Sequence, residues 1–120
     1  MKNVTLVIGA STNPNRYSNI AIKRLIDKKV KVVALGLKKG TVLGVTIDDK
    51  KKDYKNIDTV TLYISPERQE EYYSYIIDLQ PRRVIFNPGT ENTNFVKLLK
   101  EKNIESEIAC TLVLLSTNQY

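Results

Sequence analysis

Short runs of apolar, largely β-branched residues recur along this chain, and stretches with helical spacing lie between most of them. That alternation constrains the fold more than any other feature. Strands joined through helices form a parallel sheet covered on both faces. Val4 to Ile8, Val-Thr-Leu-Val-Ile, reads as a first buried strand. Tyr17 to Lys28 reads as a helix whose apolar stripe is Tyr17, Ala21 and Leu25 with Ile22 and Ile26 beside them. Val30 to Leu35 is a second strand, and Gly36-Leu37-Lys38-Lys39-Gly40 ends it. Thr59 to Ile64 is a third. Ser65-Pro66-Glu67 then gives helix-start signals: a capping hydroxyl, a proline at the first helical position and an acid in the first turn. That helix runs towards Leu79, with Tyr72, Tyr73, Ile76 and Ile77 inward, and Pro81 closes it. Arg83 to Phe86 is a fourth strand and Asn87-Pro88-Gly89 a turn. Thr90 to Asn103 is a helix, Ile104 to Ala109 a fifth strand, and a short helix follows Cys110. Thr41 to Ile57 carries Val42, Leu43, Val45 and Ile47 among polar residues and is left without assignment.

The expected architecture is therefore α/β, a Rossmann-like, doubly wound parallel sheet of five strands in the order 3-2-1-4-5. The length of 120 residues suits one domain over 1–120, and no linker, repeat or low-complexity segment divides it. The opening residues run straight into a strand pattern, so no signal peptide is expected. No stretch approaches the ~20 apolar residues of a membrane span. Cysteine occurs once, at Cys110, which fits a reducing cytoplasm.

Histidine is absent. A Ser-His-Asp triad, a Cys-His pair, a phosphohistidine and a His-ligated metal are all excluded. Asp48, Asp49, Asp53 and Asp58 cluster along the chain without a spacing that makes a metal or acid–base set. Nineteen Lys and Arg oppose thirteen Asp and Glu, a net charge of +6, which favours anionic partners. Lys50-Lys51-Lys52 lies among aspartates and reads as a solvated loop, so no nucleic-acid partner is expected.

Ligands of such sheets lie beyond the carboxyl ends of the strands, where the strand order reverses. Here that point is expected between the first and fourth strands. The residues leaving those ends are rich in Gly, Pro, Ser, Thr and Asn, with Arg16, Lys38 and Lys39 as the basic side chains and no acid before Glu67. Gly9 permits a sharp turn, and Ala10, Ser11 and Thr12 are small enough for backbone amides to approach a phosphate. The next helix supplies unpaired amides and the positive end of its dipole, and Arg16 a forked donor. The alternative is a polar loop in which Ser11 or Ser18 only caps the helix. The Gly-x-Gly-x-x-Gly spacing of a dinucleotide site is missing.

In NAD-binding folds an acid near the end of the second strand takes the ribose hydroxyls. This chain has two lysines there. A lysine suits a phosphate on the ribose, hence NADP or coenzyme A; Lys39, beside Gly40, is assigned that role and Lys38 is read as solvated.

The segments GASTNPNRYSN, VVALGLKKGTVLG and IFNPGTEN together resemble the CoA-binding domain family. Its small single-domain bacterial members are the nearest likeness; the N-terminal domain of the succinyl-CoA synthetase alpha subunit is more distant. The resemblance implies that Ser11, Thr12, Asn13 and Pro14 lie along the CoA phosphates after Gly9 and Ala10, with Arg16 close by. It places Lys39 near the adenosine end. It puts Ile64, Ser65 and Pro66, then Phe86, Asn87, Pro88 and Gly89, on the ligand groove. Asn87-Pro88-Gly89 and Leu35-Gly36-Leu37 depart from the residues usual in those loops.

The synthetase works with a histidine in a second domain and with a partner subunit. The implied function is thus binding of coenzyme A or an acyl-CoA, without catalysis by this chain. An NADP-binding oxidoreductase-like protein, or a CoA-binding subunit of a larger acyl-CoA enzyme, are the alternatives. A homodimer or an enzyme partner is left open. Cys110 is expected to be a small buried residue, Tyr72, Tyr73 and Tyr75 to serve packing, and Glu91 and Asn92 to start a helix.

Overall fold

A computed structural model describes residues 2–120. Its sheet is made of β1 (Val4–Ala10), β2 (Lys31–Gly36), β3 (Gly40–Val42), β4 (Val45–Asp48), β5 (Ile57–Leu62), β6 (Arg83–Phe86) and β7 (Glu105–Ile108). The helices are α1 (Tyr17–Asp27), α2 (Pro66–Gln69), α3 (Tyr73–Leu79), α4 (Thr93–Glu101) and α5 (Thr111–Ser116). The strand order is β3-β4-β2-β1-β5-β6-β7, and every neighbouring pair is parallel except β3 with β4.

This corrects the expected five strands in the order 3-2-1-4-5: the sheet has seven. The two additional strands come from the unassigned stretch Thr41 to Ile57. β3 runs back along the edge, and Leu43 and Gly44, both at positive φ (46° and 83°), turn the chain into β4. Two successive positive φ values give the hairpin twist that suits paired strands. β4 then lies parallel to β2, with Ala34 beside Ile47. Counting parallel strands alone, Val45–Asp48 is the third, and the Thr59 strand is the fourth, adjacent to β1. The reversal point is therefore between β1 and β5, not between β1 and β6.

Alternation along β1 feeds two cores, because successive side chains point to opposite faces. Leu6 and Ile8 join Val60, Leu62, Val84, Phe86, Phe95 and Leu99 on one face. Val7 joins Ala34, Ile47, Ile22, Leu25 and Leu115 on the other. In α1 the buried residues are Ser18, Asn19, Ala21, Ile22 and Leu25; Tyr17, expected inward, is 71% exposed. The helix expected from Ser65 to Leu79 is interrupted by a 3-10 turn at Glu70–Tyr72 and ends on Gln80 in the left-handed region, just before Pro81. Asn92 caps α4 by accepting from the Phe95 amide at 3.0 Å. No helix among the described residues is long and apolar enough to cross a membrane.

Candidate ligand-binding cleft

The register of β1 against β2 slips after Ile8, so Ala10 rather than Gly9 pairs with Gly36. Gly9 makes the slip with φ +93°, and a Cβ there would sit 2.8 Å from the Tyr63 carbonyl oxygen and 2.9 Å from Ile64 Cγ2. Both the dihedral and the space require glycine. The bend throws Ala10, Ser11 and Thr12 over the carboxyl end of the sheet. There the Ser11 hydroxyl accepts from the Asn13 amide at 3.0 Å, and Asn13 Oδ1 accepts from the Asn15 amide at 2.9 Å. Beneath them, the Asn19 amide group donates to the Ser11 carbonyl at 2.8 Å. No side chain caps α1, so neither Ser11 nor Ser18 acts as the helix cap. The Asn19 amide already bonds the Arg16 carbonyl at 3.0 Å, which leaves the Tyr17 and Ser18 amides of the first turn for solvent or a ligand.

The loop after β2 comes in against this turn. A Cβ on Gly36 would collide with the Ala10 carbonyl oxygen, and one on Gly40 with the Thr12 methyl group. Between those two close approaches the chain presents Leu37 and Lys38 to a cleft of about 520 Å³. Gly9, Ala10, Ser11, Thr12 and Arg16 line it from the first loop. Tyr63, Ile64, Ser65 and Arg68 line it after β5, and Pro88, Gly89 and Thr90 after β6.

The expected site residues Gly9, Ala10, Ser11, Thr12, Arg16, Ser65, Pro88 and Gly89 are thus brought together. Asn13, Pro14, Lys39, Pro66, Phe86 and Asn87 lie outside the lining. Phe86 is fully buried, edge-on to Phe95. Asn87 is also buried, beneath the cleft. Its amide group donates to Thr61 Oγ1 at 2.7 Å and to the Leu62 carbonyl at 2.9 Å, and its Oδ1 accepts from the Thr111 amide at 2.8 Å. Lys39 is exposed and lies within electrostatic reach of Asp48. The Tyr54 hydroxyl and the Lys52 ammonium, the latter at 2.9 Å, hold that carboxyl below the ordinary aspartate range.

Sequence reasoning left out Tyr17, Tyr63 and Arg68, and Lys38, read there as solvated, faces the cleft. Arg16, Lys38 and Arg68 give the cleft three cationic side chains, and its lining contains no Asp or Glu. Four ion pairs form among the described residues, and none involves those cations. Such a surface is arranged for a ligand with several negative charges. The Tyr63 hydroxyl is enclosed without a hydrogen-bond partner, and burial pushes its pKa up to about 12, so it stays a neutral phenol at physiological pH. Cys110 is half-buried rather than fully enclosed and lies outside the lining.

Comparison with known proteins agrees with the fold. A solved structure described as an uncharacterized protein is 45% identical with a TM-score of 0.96, over 100% of this chain and 99% of its own. A hypothetical protein from Pyrococcus horikoshii OT3 is 28% identical with a TM-score of 0.84, over 97% of this chain and 82% of that one. The cell-free ID.343 protein from Thermus thermophilus, 19% identical with a TM-score of 0.86 over 99% of this chain and 91% of its own, shares the fold. No curated protein matches. A model of the CoA binding domain matches residues 3–116, and on that match the chain belongs to the CoA binding domain family.

Proposed function

We propose that the cleft holds coenzyme A or an acyl-CoA, and that this chain binds it without carrying out chemistry of its own. The observation that carries the reading is the charge of the cleft: three cations from three loops, no acid, and a glycine turn with uncapped helix amides at its centre. The diphosphate of CoA lies over Ala10 to Thr12 at the start of α1. Its ribose phosphate lies towards the loop after β2, where Lys38 faces the cleft and Lys39 stands next to it. That loop offers no carboxylate to the ribose hydroxyls of NAD. The cleft also lacks a group suited to proton transfer near neutral pH: histidine is absent and Tyr63 holds its proton.

Calorimetric titration with CoA, dephospho-CoA, NADP and NAD tests this. CoA is expected to bind more tightly than dephospho-CoA, and NAD more weakly than either. NADP binding tighter than CoA would transfer the site to the oxidoreductase-like reading.

A further inference from the structure

The three cations of the cleft follow three adjacent strands. Lys38 follows β2, Arg16 follows β1 and Arg68 follows β5, and the sheet order is β2-β1-β5. Neighbouring strands are about 4.8 Å apart, and Lys38 and Arg68 come to the cleft from opposite flanks of the β1 turn. A ligand with its diphosphate over β1 and a second phosphate over β2 satisfies Arg16 and Lys38 and leaves Arg68 on the far flank of the diphosphate. An arginine side chain is longer than one strand spacing and reaches back across it.

The backbone that carries Arg68 is firmly held. Its own amide and that of Gln69 both donate to the Ser65 carbonyl, at 3.0 and 3.1 Å. The fully buried Gln69 side chain pins the same turn to Ile64 and Thr90. Glu67, Glu70 and Glu71 share the segment, yet none pairs with Arg68. Tyr72 lies within electrostatic reach of Arg68, but a protonated phenol cannot neutralise the guanidinium.

We propose that Arg68 is a ligand-binding residue that grips the diphosphate of the bound nucleotide from the β5 side, completing a two-arginine clamp with Arg16. The inference rests on the CoA reading above and adds to it a division of labour. Arg16 and Arg68 read the diphosphate, and Lys38 reads the ribose phosphate.

The test is calorimetric titration of CoA and dephospho-CoA into the wild type and into Arg68→Ala, Arg68→Lys, Lys38→Ala and Lys100→Ala. Lys100 lies near the end of α4, which packs against β7, outside the cleft lining, and controls for net charge alone. Arg68→Ala is expected to weaken both ligands by the same factor, roughly tenfold, as loss of one charge-assisted contact implies. Arg68→Lys, which keeps the charge but loses the fork, falls between. Lys38→Ala is expected to weaken CoA and leave dephospho-CoA unchanged, and Lys100→Ala to change neither. Unchanged affinity in Arg68→Ala, or a loss seen with CoA but not with dephospho-CoA, overturns the clamp while leaving CoA binding intact. Failure of the wild type to bind either ligand overturns both.

Discussion

The buried side-chain amide of Gln69 donates to the Thr90 carbonyl at 2.7 Å and to the Ile64 carbonyl at 3.0 Å, so one residue sets the distance between two loops of the cleft. Its Oε1 accepts from Asn92 at 2.9 Å, and Asn92 in turn donates to the Tyr73 hydroxyl at 2.8 Å and caps α4. Every polar group of the Gln69 side chain is thus satisfied, the condition under which a buried network stabilises rather than strains. Gln69→Leu leaves two carbonyls and the Asn92 amide without their partner. It is expected to lower unfolding free energy by about 2–3 kcal/mol and to weaken CoA. Denaturant unfolding and titration check the two effects, and unchanged affinity would show that the loops keep their places without it.

Asn87 separates packing from ligand contact. Its side chain ties β5 and α5 to the end of β6 from below the cleft. Asn87→Ala is expected to cost about 2–3 kcal/mol of stability while the folded fraction binds CoA as the wild type does. Thermal unfolding together with titration below the melting temperature distinguishes this from a direct ligand role, in which affinity would fall without loss of stability.

Two glycines at positive φ give a graded test. Gly89, at φ +91°, has nothing within 4 Å of an added Cβ, so Gly89→Ala carries backbone strain alone, about 1 kcal/mol. Gly9→Ala adds a collision with the Tyr63 carbonyl to the same strain and is expected to cost about 3 kcal/mol or more. Paired unfolding curves check the ranking. A Gly9→Ala protein no less stable than Gly89→Ala would contradict the close approach of β1 and the Tyr63 segment.

Asp48 gives an acid dependence. Its folded pKa is lowered, chiefly by the hydrogen bond from Tyr54 and then by Lys52. A depressed carboxylate contributes stability at pH values above its unfolded pKa, about 3.9, and that contribution is lost as pH falls through the folded value. Tyr54→Phe is expected to cost about 1 kcal/mol at pH 7, with the difference from wild type narrowing below about pH 4. Urea unfolding at pH 7, 5 and 3 measures it; a constant difference across the series would exclude the linkage.

The chain states some of this plainly and conceals the rest. β1, β5 and β6 announce themselves because both faces are covered, which demands nearly continuous apolar runs. β3 and β4 span only three and four residues, too few for a period to show, and their turn uses Leu43 where Asn or Gly would signal it. Missing that hairpin is what misplaced the Thr59 strand in the expected order.

In the cleft, the turn from Gly9 to Thr12 with Arg16 is legible, since small residues between strand and helix have a direct physical meaning. Arg68 is not, because which residue of α2 faces the cleft depends on Gln69 being drawn inward by partners distant in sequence. Nor can sequence choose between adjacent lysines. Gly40 meeting Thr12 fixes the path of that loop, and the path turns Lys38 to the cleft and leaves Lys39 outside. Asn87 shows the converse: a polar loop residue beside Pro and Gly suggests ligand contact, while its partners are Thr61, Leu62 and Thr111.

Diffraction from crystals grown with saturating CoA tests the central claim most directly. CoA is expected with its diphosphate on the amides of Ala10 to Thr12, beside Arg16, and its ribose phosphate near Lys38. CoA bound elsewhere on the surface, with those amides untouched, would contradict it.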